Sequence, residues 1–540
     1  MKIQLTRLQD ARTSDVLYFP IVESLALGYL ARYLRKNSFQ AEIIDEEASG
    51  LSREETIRKL ERNDDLIAFT AIAKPQIFSI LEVIQELKNK GSKAHFTIGG
   101  QYATFLFKDL LSLEERFDSV ICYEGEETIV ELAEALENSK DIEKIRGLAF
   151  KQGSKIKQNP IRPLIHDLDG MPFPARDTLS NIIEKGGLPV ISSSRGCYNR
   201  CSYCTISQFY NDPPGPNFRY RSAESVLEEI EGLKEQFPSL SDIWFVDDNF
   251  VMPGKQGLQR TKKLCKGLKK IGLEFDIYLR ANDVNKQLLK LLKESGIRSI
   301  FIGAEAGSNF TLQKIFNKNI SVEQTKKAIQ LCNEAKISVD PGFIMFHPWS
   351  TLEEIEANIQ FLEEIKQYSL YGIVSFLTAY KFTPIGKQML SGERIYKKPH
   401  TKIKKILDDA IEYEIADAKT EILLCLTLKA FQEFRELPAL LSQLKAGIRN
   451  LKKAGLEEQS TKLDKEWAKR MNEINYTGLQ FFKQLLKLMK ENELREELIK
   501  PEFENILKKI QEYSKKEKEL ISHQIGSSQL SPELLAAQTA

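Results

Sequence analysis

Ser193-Ser194-Arg195-Gly196-Cys197-Tyr198-Asn199-Arg200-Cys201-Ser202-Tyr203-Cys204 gathers three of the chain's seven cysteines into eight residues, spaced C-x3-C-x2-C. Thiolates are soft ligands that suit iron–sulfur clusters and zinc. Three in one short loop can hold three irons of a cubane and leave the fourth iron open. A structural zinc site takes four protein ligands, and no second C-x-x-C stands elsewhere in the chain to complete one. A disulfide framework calls for an even cysteine count and a secreted setting. The stretch reads as a cluster loop.

On Cys197, Cys201, Cys204 and the aromatic Tyr203 just before the last cysteine, the chain resembles the radical SAM enzymes. The resemblance implies a [4Fe-4S] cluster whose open iron binds the amino and carboxylate groups of S-adenosylmethionine (SAM). It also implies release of a 5′-deoxyadenosyl radical. Downstream, Ile243-Trp244-Phe245-Val246 reads as a buried strand ending in Asp247-Asp248-Asn249. Polar side chains at the end of a core strand are costly unless they bind something. The pattern recurs at Ile277–Leu279 before Arg280 and Asn282, at Ile300–Gly303 before Glu305, and at Gly342–Phe346 before His347. Helical segments lie between, so residues 188–390 read as a parallel (β/α) barrel, partial or complete, with its site at the carboxyl face. By resemblance it is a partial barrel. Asp247 and Asp248 then meet the SAM amino group, Glu305 contacts SAM, and Arg280 neighbours it. His347 receives no catalytic role.

Upstream, residues 1–145 alternate short apolar strands with helical patterns, and Leu27, Leu30, Ala31 and Leu34 share one helix face. This predicts a doubly wound parallel sheet, which binds ligands beyond the carboxyl ends of its strands. Gly99-Gly100, Thr104 and Glu124-Gly125 lie on such strand ends. On Pro20–Leu34, Ile43–Asp45, Gly99–Thr104 and Glu124–Glu126, this third is similar to the cobalamin-binding domain that precedes the core in one large radical SAM class. The resemblance implies that these loop residues bind cobalamin. The absence of D-x-H-x-x-G implies a cobalt without a histidine ligand from that motif. The proline-punctuated segment 146–187 reads as a connector.

With 540 residues, the chain has length for about three domains. A net charge of +1 gives no basic field for nucleic acid. The first residues carry no charged-then-apolar signal. Apolar runs such as Ile422–Leu428 fall far short of the ~20 residues that span a bilayer. Scattered cysteines fit a reducing cytoplasm. Residues 391–525 read as charged helices, and 526–540 as a mobile tail. The expected fold is thus α/β, with a doubly wound front, a partial barrel and an all-α end. The expected activity is cobalamin-dependent C-methylation of an unactivated carbon on a small molecule, lipid or peptide, fed by an external donor such as flavodoxin or ferredoxin. Radical cyclisation, epimerisation or ring contraction without methyl transfer is the alternative. A non-catalytic iron–sulfur protein is another. A methylthiotransferase needs a second cluster, which the single Cys122 of residues 1–145 argues against.

Overall fold

The computed structural model describes residues 1–9, 21–62, 65–72, 74–113, 116–391 and 410–528. Pro20 and residues 529–540 therefore lie outside the described residues. The helix Glu496–Ser528 continues through 526–528, where a tail was expected.

Strands β1 (Lys2–Arg7), β2 (Gln40–Asp45), β3 (Leu66–Thr70), β4 (His95–Gly99), β5 (Ser119–Ile121), β6 (Leu148–Gln152) and β7 (Lys155–Gln158) form one sheet in the order β2-β1-β3-β4-β5-β6-β7. The first five are parallel, and the order in which strands are added reverses between β1 and β3, which makes the switch point. The last two are antiparallel additions. The sheet thus reaches Gln158, past the expected start of the connector at 146. The buried side chains of Leu148, Ala149 and Phe150 anchor β6 to the sheet. The helix Leu25–Lys36 buries Leu27, Ala31 and Leu34 against the sheet, as its periodicity requires. Ser24 caps its first turn, and Arg35 and Lys36 sit favourably at its carboxyl end.

Strands β8 (Val190–Ile191), β11 (Asp242–Phe245), β12 (Glu274–Leu279), β13 (Ile297–Glu305) and β14 (Ser338–Phe343) form a second, all-parallel sheet. Between β8 and β11 lies a small antiparallel pair, β9 (Ser194–Gly196) and β10 (Phe218–Tyr220). The sheet runs β14-β13-β12-β11-β8 without joining its edges, so the barrel is partial. Ile243, Phe245, Phe275, Ile277, Ile300 and Ile302 are buried among the helices that cross over between strands. The strand expected at Gly342–Phe346 begins earlier, at Ser338, and ends at Phe343.

The helices Ala418–Phe431, Leu437–Lys453, Glu457–Glu491 and Glu496–Ser528 make the carboxyl-terminal region. Their core is continuous with the barrel's, through contacts such as Phe346 with Phe482. No helix among the described residues is long and apolar enough to cross a membrane.

Candidate active site

The cysteine loop hangs from β9 and leads into the helix Thr205–Asn211. Its start admits only glycine. Gly196 has φ +84°, and a Cβ there would stand 1.9 Å from the Asn217 carbonyl oxygen. The end of β11 holds this start. The Ser194 hydroxyl donates to Asp247 Oδ1 at 2.6 Å, and the Gly196 N–H donates to Asp248 Oδ2 at 3.1 Å. Asp247 Oδ2 is buried and unpartnered. Burial pushes the Asp247 carboxyl up to about 6. Burial, then the neighbouring Asp247 charge, pushes Asp248 up to about 7. Asp248 nonetheless keeps accessible surface at the end of β11.

All seven cysteines are free thiols. Burial raises the Cys197 thiol, outweighing the opposing Arg280 charge, and lifts Cys204 to about 12. Asn199 Nδ2 donates to Cys201 Sγ at 2.9 Å and to the Lys318 carbonyl at 3.1 Å. Among the described residues, no three His, Cys, Asp or Glu side chains converge as ligands of a single metal ion. A cubane takes its thiolates at separate irons, and three from this loop leave the fourth iron open.

The other expected strand-end residues surround this loop. The Arg280 guanidinium lies over the Tyr198 ring at 5.5 Å and donates to the Lys318 carbonyl at 2.7 Å. Tyr198 donates its hydroxyl to Asp283 at 2.8 Å. Glu305 follows a bulge in β13 and takes φ +66°, unusual for a non-glycine residue. It accepts from Lys318 Nζ at 2.7 Å, and both side chains are largely buried. Tyr203 packs edge-on against Phe316, and burial, then the Glu305 charge, raises its phenol well above the ordinary range. Lys318 thus links Glu305, Arg280 and the cysteine loop, and sequence reading missed it. Its one signal is the flanking Asn317 and Asn319, both at positive φ, a conformation asparagine tolerates.

The front domain brings its strand-end loops to the same place, where the expected residues also make structural contacts of their own. Gly100 has φ +100°, and a Cβ there would meet the Ala71 carbonyl at 3.0 Å, so the sheet edge itself demands glycine. A Cβ on Gly99 would make only ordinary contacts, at 3.5 Å and beyond. Thr104 Oγ1 donates to the Gly100 carbonyl and accepts from Tyr123 N–H, both at 2.9 Å. A Cβ on Gly125 would press Ile121 Cγ2 at 2.9 Å. Glu124 turns to the core. It accepts from Arg195 Nη1 and Arg219 Nη1, each at 2.9 Å, and from Ile165 N–H at 2.7 Å. Neither arginine was singled out in the sequence, where a lone arginine carries no signal. What the edge offers a cofactor is shape. Gly99 and Gly100 are half-exposed without side chains, and Ile72 beside them is 77% exposed, a low apolar rim that fits a flat macrocycle.

Two family models match the chain: the B12 binding domain over residues 19–133 and the Radical SAM superfamily over 191–362. An uncharacterized methyltransferase of Pyrococcus horikoshii is 29% identical over 63% of this chain and 73% of its own length. The anaerobic magnesium-protoporphyrin IX monomethyl ester cyclase of Cereibacter sphaeroides is 28% identical over 67% of this chain and 60% of its own. The hopanoid C-3 methylase of Methylococcus capsulatus is 27% identical over 64% and 65%. Among solved structures, the cobalamin-dependent SAM radical enzyme OxsB with aqua-cobalamin superposes with a TM-score of 0.72 at 20% identity, over 97% of this chain and 80% of that one. The radical SAM methyltransferase TsrM of Kitasatospora setae, with cobalamin and a [4Fe-4S] cluster, reaches 0.58 at 19% identity, over 73% and 76%.

Proposed function

We propose that this chain, a radical SAM enzyme with a B12 binding domain before its core, transfers a methyl group to an unactivated carbon. The observation that carries this reading is the meeting of the front sheet's carboxyl edge with the cysteine loop, through Glu124, Glu126 and Arg195. In this reading the two cofactor regions lie on either side of that contact. When bound, the [4Fe-4S] cluster and SAM supply a hydrogen-abstracting radical, and cobalamin supplies the methyl group.

In this reading Cys197, Cys201 and Cys204 ligate the cluster, and Asn199 orients the Cys201 sulfur. Asp247 and Asp248 accept hydrogen bonds from the SAM ammonium. Glu305, held by Lys318, meets its ribose or main-chain groups, and Arg280 keeps Tyr198 and the loop in register. Tyr203 and Phe316 wall the loop from solvent. Gly99 with Ile72 forms the rim beneath the corrin, while Gly100, Thr104, Glu124 and Gly125 serve that rim by shaping and docking it. An external one-electron donor of the flavodoxin or ferredoxin kind reduces the cluster. Seven free thiols favour the cytoplasm.

A second reading, ring formation or rearrangement without methyl transfer, is favoured by the cyclases among the relatives and by one named 4'-phospho-dehydrooxetanocin synthase, from Priestia megaterium. The mass of the product separates the two. A gain of one methylene unit, with the methyl carbon drawn from labelled SAM, is expected. A product of unchanged carbon count overturns methyl transfer. The substrate is to be sought among small molecules, lipids and peptides.

A further inference from the structure

We propose that Arg195 is a positioning residue which, with Glu124 and Glu126, sets the spacing and orientation of the cluster relative to the corrin. Arg195 stands two residues before Cys197, on β9. Its Nη1 donates to Glu124 Oε1 at 2.9 Å and its Nη2 to Glu126 Oε1 at 2.6 Å. Its guanidinium also covers the Tyr29 ring at 5.0 Å. Tyr29 belongs to the helix Leu25–Lys36, and the two glutamates flank Gly125 at the end of the front sheet. Separate front-domain segments thus hold one core side chain. Arg219, paired with Arg195 across β9 and β10, takes the second oxygen of Glu124. One front-domain carboxylate therefore grips both strands from which the cysteine loop hangs.

On its other side the clasp is continuous with the corrin rim. Tyr123, next to Glu124, donates its N–H to Thr104, and Thr104 donates to the Gly100 carbonyl. A short path of hydrogen bonds and the Tyr123–Glu124 peptide link joins Gly100 to the residue two before Cys197. Adhesion alone does not explain this choice of residues. Burying carboxylates and guanidiniums at a joint carries a desolvation cost that apolar side chains avoid. What a planar guanidinium between two carboxylates adds is a defined direction and register. At this joint, register is the relation of the cysteine loop to the corrin rim.

The inference rests on the cluster lying at the three cysteines and the corrin on the rim. Its readout is magnetic, because the reduced cluster and cob(II)alamin are both paramagnetic. Holoenzyme with both cofactors should show a defined spin–spin interaction by electron paramagnetic resonance. In R195Q, at equal iron and cobalamin content, that interaction should weaken several-fold or spread over many values. R195K keeps the charge but not the fork and should fall between. E126Q loses one arm and should weaken it less. R35Q, which breaks an exposed pair with Asp177 between the front helix and the connector, should leave it unchanged. If R195Q sheds its iron, E126Q decides. An interaction unaltered in R195Q or in E126Q overturns the proposal, as does the absence of any interaction in the unaltered protein. Holoenzyme that shows the interaction yet forms no methylated product overturns methyl transfer and leaves the clasp standing.

Discussion

At Asp247, buried with one oxygen unpaired, the cost of burying a charge outweighs the help that Ser194 and Arg260 give to the ionised form. The folded protein holds its proton to about 6, against 3.8 for an ordinary aspartate. The unfolded chain gives that proton up earlier. Stability from this group is present at low pH and is lost as pH rises through about 6. The melting temperature of the cofactor-free protein should therefore slope downward from about pH 4 to about pH 7, less steeply in D247N. SAM affinity should run the other way, rising as Asp247 and then Asp248 ionise. At neutral pH, D247N should lose roughly 1.5–3 kcal/mol of SAM binding, the range for a charge-assisted hydrogen bond. A SAM affinity flat with pH and equal in D247N sinks the SAM role. At the cysteines the expectation is sharper. C197A, C201A and C204A should each lose iron and SAM cleavage, whereas C265A and C332A, buried in the hydrophobic core, should keep both. Retained iron and normal cleavage in the triple variant would falsify the cluster reading.

At the scale of a loop or strand end, two adjacent glycines separate two demands. Gly100 is required by the backbone, with φ +100° and no room for a Cβ. G100A should destabilise the front sheet by about 1–3 kcal/mol, cofactor or not. Gly99 has ordinary space for a Cβ and partial exposure. G99L should therefore leave the melting temperature of the cofactor-free protein nearly unchanged and impede uptake of hydroxocobalamin. Equal uptake by G99L and unaltered protein removes the corrin from this rim. In the sequence the two demands look alike, because a G-G pair at a strand end is the same string whether turn or ligand requires it. The strands themselves were legible. Runs such as Leu66–Thr70 and Ile300–Gly303 are apolar because a parallel sheet buries both faces. The bulge at Glu305 and the left-handed turns beside Lys318 were not, since each depends on a neighbouring strand or loop.

Across the whole molecule, a second buried ion-pair chain ties the front domain, connector and barrel. Arg176 of the connector pairs with Glu23 of the front domain and, at 2.6 Å, with Glu229 of the barrel, which also pairs with Arg221. Removing one member of such a chain leaves a charge buried and unmatched, typically at about 3–5 kcal/mol. E229Q should lower stability by that order and split a shared unfolding transition into separate front-domain and barrel steps in calorimetry. A single transition at the unaltered temperature counts against the coupling.

Cysteine spacing, hydrophobic period and strand–helix alternation are local properties of the chain, and they determined the cluster loop, the doubly wound front and the parallel barrel. The polar ends at Asp247, Asp248, Arg280 and Glu305 were visible for the same reason: each interrupts an apolar strand. What only the tertiary structure decided is partnership. Glu124 reads as a loop acid until Arg195 and Arg219 arrive from 71 and 95 residues away. Lys318 reads as a surface lysine until folding sets it on Glu305. Complementary charge and desolvation act between side chains that meet only after folding, so neither leaves a period or a spacing in the sequence.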